Sequence, residues 1–123
     1  MIKKIFSPAA AIIGILFSSH AFAAVNAIPL PGKGSITVES FSYRCQGVSQ
    51  PLKVTYYTKG DNYLAMVPVQ YFEKEESAAL LFAGMVSASG TSYGAHQYTW
   101  SGKDKDWTLE NDFTNKSVNC KQL

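Results

Sequence analysis

Reactive chemistry is what this sequence has least of. Its 123 residues include only two cysteines and two histidines. There is no His-Glu-x-x-His pair and no phosphate-binding glycine loop, so the recurrent metalloprotease and nucleotide-binding motifs are excluded. Beyond residue 23 a single histidine, His96, accompanies Cys45 and Cys120. That set is too small for a metal centre, and no cofactor is expected. Charge is scarce as well, at 16% Asp, Glu, Lys and Arg. The acids gather in "EKEES" at 73–77 and at Asp104, Asp106, Glu110 and Asp112, the pattern of a solvated surface that also attracts basic partners.

Long apolar runs are confined to the beginning of the chain. "MIKKIFS" supplies two lysines, "PAAAIIGILFSS" an apolar run, and "HAFA" alanines at 21 and 23. These are the three parts of a secretory signal, with cleavage expected after Ala23 or, at a second site, after Ala27. The run is shorter than the roughly 20 residues that span a bilayer. No cysteine stands near the cut to take a lipid, so a mature protein free in the periplasm, without a membrane anchor, is expected. Lys3 and Lys4 account for two of the 11 basic residues, leaving nine against nine acidic ones. The formal charge of +2 therefore belongs to the precursor. With no basic stripe beside the aromatics, nucleic acid is not an expected partner.

Two cysteines in an exported chain point to one disulfide, Cys45 to Cys120, tying the first strong strand to the C-terminal end. Residues 24–37 combine prolines and glycines without periodicity and read as a flexible leader. A single domain then occupies 38–123. "FSYRC" alternates to put Phe41, Tyr43 and Cys45 on one face, and "PLKVTYYT" does so with Leu52, Val54 and Tyr56. "TKGDN" reads as a hairpin turn. "YLAMVPVQYF" reads as a strand whose Pro68 marks an edge or bulge. "AALLFAGMV" has strand length, with a short helix as its competitor. About seven or eight short strands and no long helix predict an all-β domain. A small antiparallel β-barrel is favoured over a sandwich, because closure hides strand edges.

With catalysis and nucleic acid set aside, a rigid scaffold displaying loops remains. Ser87–Gly90 is too small and polar for core, and Gly90 lets the backbone approach a partner closely. Tyr93, Tyr98 and Trp100 read first as barrel core or rim. Gly102 reads as the turn that lifts Lys103 outward.

"SASGTSY", followed by "YTWSGK" and a late "NC", resembles the family of membrane-bound and periplasmic inhibitors of c-type lysozyme. Ser89, Gly90 and Tyr93 match its Ser-Gly-x-x-Tyr motif. Tyr98, Trp100 and Lys103 match in part a second motif that runs from tyrosine through an aromatic to Lys-Gly. "FSYRC", "LKVTYY", "GDNYLA" and "LLF" extend the likeness from about Phe41 to Cys120. The resemblance implies an eight-stranded barrel with the Cys45–Cys120 disulfide, c-type lysozyme as partner, and no enzymatic activity. It implies lysozyme contacts at Ser89, Gly90, Tyr93, Tyr98 and Lys103, with Ser89 and Lys103 entering the cleft against the catalytic carboxylates. Two departures stand out. Thr91 and Ser92 replace the family's basic pair, and Gly102-Lys103-Asp104 replaces Lys-Gly, which leaves Lys105 as an alternative contact and Asp104 or Asp106 as internal partners for Lys103. Inhibition of another lysozyme type, or an envelope structural or adhesive module, are the alternative functions.

Overall fold

The computed structural model describes residues 27–123. The signal sequence expected over 1–23 lies outside the described residues. Eight strands follow in order: β1 Thr37–Cys45, β2 Leu52–Lys59, β3 Asn62–Val67, β4 Leu80–Met85, β5 Thr91–Ala95, β6 Tyr98–Lys103, β7 Asp106–Asn111 and β8 Lys116–Gln122. Each pairs with the next, β8 returns to β1, and every pair is antiparallel, so the sheet closes into a barrel. The expected eight-stranded all-β barrel is the observed one.

Alternation along the strands fills the interior. Tyr43, Leu52, Val54, Ala65, Val67, Phe82, Trp100 and Leu109 are all buried there. The centre is aromatic. Trp100 meets Tyr43 edge-on with centroids 4.9 Å apart, and stacks on Trp107 at 5.1 Å and 20°. Its indole Nε1–H donates to the Tyr56 hydroxyl at 2.9 Å, and the Tyr43 and Tyr56 hydroxyls share a hydrogen bond of 2.7 Å. A barrel core of this polarity is tolerated because each polar tip has a partner.

The seam that closes the barrel is short. β1 pairs with β2 from Thr37 to Tyr43, but with β8 only over Tyr43–Cys45. Cys45 and Cys120 face each other in that seam and form the expected disulfide, across 75 residues of sequence.

Three segments refine the sequence reading. β3 stops at Val67, and a 3₁₀ turn over Val69–Tyr71 follows Pro68, since proline has no N–H for the ladder. β4 is the strand that its length predicts rather than the competing helix, and Phe82 is its one buried residue, since alternation turns Leu81 and Met85 outward. Residues 28–31 of the leader, with Ile36, lie against Tyr57, Leu64, Met66 and Leu81 on the outside of the barrel. Asn62 Nδ2 donates to the Pro31 carbonyl at 2.7 Å.

Antiparallel pairing sends successive connections to opposite ends. One end carries the segment 68–79 and is sealed by side chains. Asn111 Nδ2 donates to Glu73 Oε1, and the Lys116 ammonium donates to the Phe72 carbonyl while lying over its ring. The other end carries the turn at Gly60–Asp61, the loop 86–90 and the turn Asp104–Lys105.

Candidate functional site

Ser89 lies in the loop between β4 and β5, and Lys103 is the last residue of β6. They meet because Thr91 pairs with Gly102 and Ser92 with Ser101. Gly90, at φ 73°, makes the approach possible: a Cβ there would stand 2.5 Å from the Gly102 carbonyl oxygen and 3.4 Å from Lys103 Cβ. The two loops therefore touch backbone to backbone.

Between them opens a groove of about 600 Å³, lined among others by Ser87, Ser89, Ser101, Lys103, Trp107 and Asn119. Lys105, at the tip of the turn, does not line it. Ser89 accepts a hydrogen bond at its carbonyl from the Ser87 hydroxyl, at 2.7 Å, which folds the loop on itself. Its own hydroxyl has no protein partner among the described residues.

Among the described residues the Lys103 ammonium makes no ion pair or hydrogen bond either. Asp106, its neighbour across the hairpin, instead takes the Lys121 ammonium at 2.8 Å. Asp104 forms no ion pair among the described residues. Among the described residues, neither of the internal partners that the sequence offers Lys103 is bound to it. A free cation and a free hydroxyl share one mouth, ready to meet an anionic, hydrogen-bonding partner.

The turn differs from the sequence reading. Gly102 lies within β6, and the reversal is made by Asp104 and Lys105, with Asp104 at φ 57°. A positive φ at the first turn position is what glycine usually supplies in a two-residue hairpin. Asp104 thus stands where the resembled Lys-Gly motif carries its glycine, and Lys103 keeps its place before it. Gly102 has another task. A Cβ there would lie 2.3 Å from Trp107 Cδ2, so glycine makes room for the indole. Trp107 escaped the sequence reading, although a glycine and an aromatic five residues apart about a two-residue turn are cross-strand partners.

The expected contacts divide. Ser89, Gly90 and Lys103 come together. Tyr93 is buried beneath them, its hydroxyl pushed up from the ordinary phenol range by burial and then by Tyr63 nearby. Tyr98 is buried at the opposite end and donates to Glu76 Oε2 at 2.8 Å; burial first, then that bond, hold its proton on. Of the described residues, no group of three or more His, Cys, Asp or Glu is placed to hold a metal.

A family model described as membrane-bound lysozyme-inhibitor of c-type lysozyme matches residues 43–117. A Pseudomonas aeruginosa protein named membrane-bound lysozyme inhibitor of C-type lysozyme is 37% identical over 91 residues, 74% of this chain and 67% of its own length. The crystal structure of Pseudomonas aeruginosa MliC in complex with hen egg white lysozyme is similar at a TM-score of 0.67 and 36% identity. That match covers 80% of this chain and 95% of the other.

Proposed function

The chain belongs to the family of membrane-bound lysozyme inhibitors of c-type lysozyme, and we propose from it that this protein inhibits a c-type lysozyme by inserting Ser89 and Lys103 into the enzyme's active-site cleft. The observation that carries the site assignment is the shared groove, in which neither polar end has a partner among the described residues and the two loops meet backbone to backbone at Gly90 and Gly102.

Lysozyme works with two carboxylates, one kept protonated by an apolar pocket and one ionised. An ammonium among them makes charge-assisted hydrogen bonds, about twice as strong as neutral ones. A serine hydroxyl donates to an ionised carboxylate or accepts from a protonated one. Lys103 and Ser89 thus answer the two states of the pair, and glycan is excluded because the cleft is full. Leaving Lys103 unpaired in the free inhibitor matters, since no internal ion pair has to be broken on binding. The protein acts by occupancy and is not an enzyme. We place it in the periplasm, on the charged, apolar and alanine-ended parts of residues 1–23. An intact mass beginning at Ala24 or Ile28 is the expected readout, and a lipid-bearing mass is the contrary one.

The test is clearance of bacterial cell walls by c-type, i-type and g-type lysozymes with and without the mature domain. Inhibition of the c-type enzyme alone is expected. Lys103→Ala should weaken it at least tenfold, the scale of removing one partner of a buried charge pair, and Lys105→Ala by less than threefold. A larger loss from Lys105→Ala reverses the assignment, and no effect on any lysozyme refutes the function.

A further inference from the structure

We propose that Trp107 is a positioning residue for the inhibitory pair, holding Lys103 and, through Gly102 and Gly90, the Ser89 loop in register. The inference rests on the reading of Ser89 and Lys103 as the lysozyme contacts.

The indole lies on the backbone of Gly102, where any Cβ would meet its Cδ2 and Cγ at 2.3 and 2.4 Å. Its Nε1–H donates to the Asp104 carbonyl at 3.1 Å, so one side chain grips the residues on both sides of Lys103. Gly102 in turn carries Gly90 against its carbonyl. No side chain intervenes between indole, β6 backbone and Ser89 loop, and nothing flexible absorbs a shift of one relative to another.

The indole is itself held from behind. It stacks on Trp100, meets the Tyr43 ring at 5.9 Å, and Trp100 is anchored by its bond to Tyr56. Trp107 also stands opposite Cys120, one member of the disulfide seam. Rigid core and displayed loops are thereby joined at one residue. A contact group must be held within a fraction of an ångström to use its charge fully. In a flexible lysine, that control comes only from the backbone that carries it.

The experiment is a double-mutant cycle on the disulfide-bonded protein, read as the dissociation constant for hen egg white lysozyme. Trp107→Ala and Trp107→Phe are each measured with Lys103 and with Lys103→Ala. With Lys103 present, Trp107→Ala should weaken binding at least tenfold and Trp107→Phe, which keeps a ring on Gly102 but loses the bond to Asp104, about threefold. In the Lys103→Ala background the Trp107→Ala loss should shrink to about threefold, the share that the Ser89 loop still carries, and the Trp107→Phe loss to within twofold. Losses of equal size in both backgrounds would mean that Trp107 touches lysozyme or merely stabilises the barrel, and would overturn the proposal. So would wild-type affinity in both Trp107 variants. If Trp107→Ala fails to fold, Trp107→Phe decides by the same comparison. Lys103→Ala binding like wild type removes the reading of Lys103 itself, and this proposal with it, before any Trp107 variant is needed.

Discussion

Asp104 shows how a single residue records the turn that presents the site. A left-handed conformation costs an L-residue roughly 1–2 kcal/mol, less for aspartate than for most. Glycine avoids that cost but loses roughly 0.5–1 kcal/mol more in backbone entropy on folding. Asp104 forms no ion pair among the described residues that would be lost. Asp104→Gly is therefore expected to raise stability by a few tenths to about 1 kcal/mol, measured by denaturant unfolding, and to leave lysozyme inhibition within twofold. A clear loss of stability would mean that the aspartate side chain supports the turn in the folded protein. Much of the site was visible at this scale. Ser89, Gly90 and Lys103 stand at the motif positions, and Ser89 and Lys103 line one groove. Trp107 was hidden because its work depends on a glycine across the hairpin, and a glycine has no side chain to suggest a contact. Tyr98 was grouped with the contacts by motif alone; which end of a barrel a residue reaches depends on strand pairing, and pairing sends Tyr98 to the sealed end.

Among the elements, the closing seam is one of the two shortest pairings and the most informative. β1 and β8 share three registered pairs, one of them the disulfide itself. Cross-linking residues 75 apart in sequence contributes about 4 kcal/mol in the chain-entropy view, an upper value. Reduction is thus expected to lower the melting temperature by roughly 10 °C or more, since 1 kcal/mol shifts a domain of this size by about 4–8 °C. An unchanged melting temperature would show that the ladder closes the barrel unaided. The strands themselves were legible wherever one face met the interior and the other met solvent, as in β1 and β2. Legibility failed where chemistry and geometry parted. β4 is apolar on both faces, so its letters fit a helix or a buried strand equally, and only the pairing of Ala83 with Leu64 and Gly94 fixes its alternation. At Pro68 the missing N–H reads as an edge or a bulge, whereas the chain leaves the sheet there altogether.

The whole molecule is a closed barrel with a polar aromatic centre, one sealed end and one end that displays loops. Its centre has a consequence for pH. Burial raises the Tyr43, Tyr56, Tyr93 and Tyr98 hydroxyls above their ordinary value, and in Tyr56 donating its proton to the Tyr43 hydroxyl adds to the shift. A raised folded-state value means that the folded protein holds these protons more tightly than the unfolded chain. Their stabilisation is complete below about pH 10 and is lost as pH rises through the raised values. Alkaline titration should therefore show these tyrosines ionising together with loss of near-ultraviolet circular dichroism. Ionisation of all tyrosines near pH 10 with the dichroism intact would contradict the buried network. Among the described residues two polar groups, the Ser89 hydroxyl and the Lys103 ammonium, stand at the open end without internal partners, and their occupancy of the cleft is the claim on which the proposed function rests. It is tested most directly by measuring the affinity for hen egg white lysozyme at increasing concentrations of an N-acetylglucosamine oligosaccharide that fills the enzyme's cleft. Strict competition is predicted, with the apparent dissociation constant rising in proportion to saccharide and without limit; an affinity that levels off or ignores the saccharide would mean that the inhibitor binds outside the cleft.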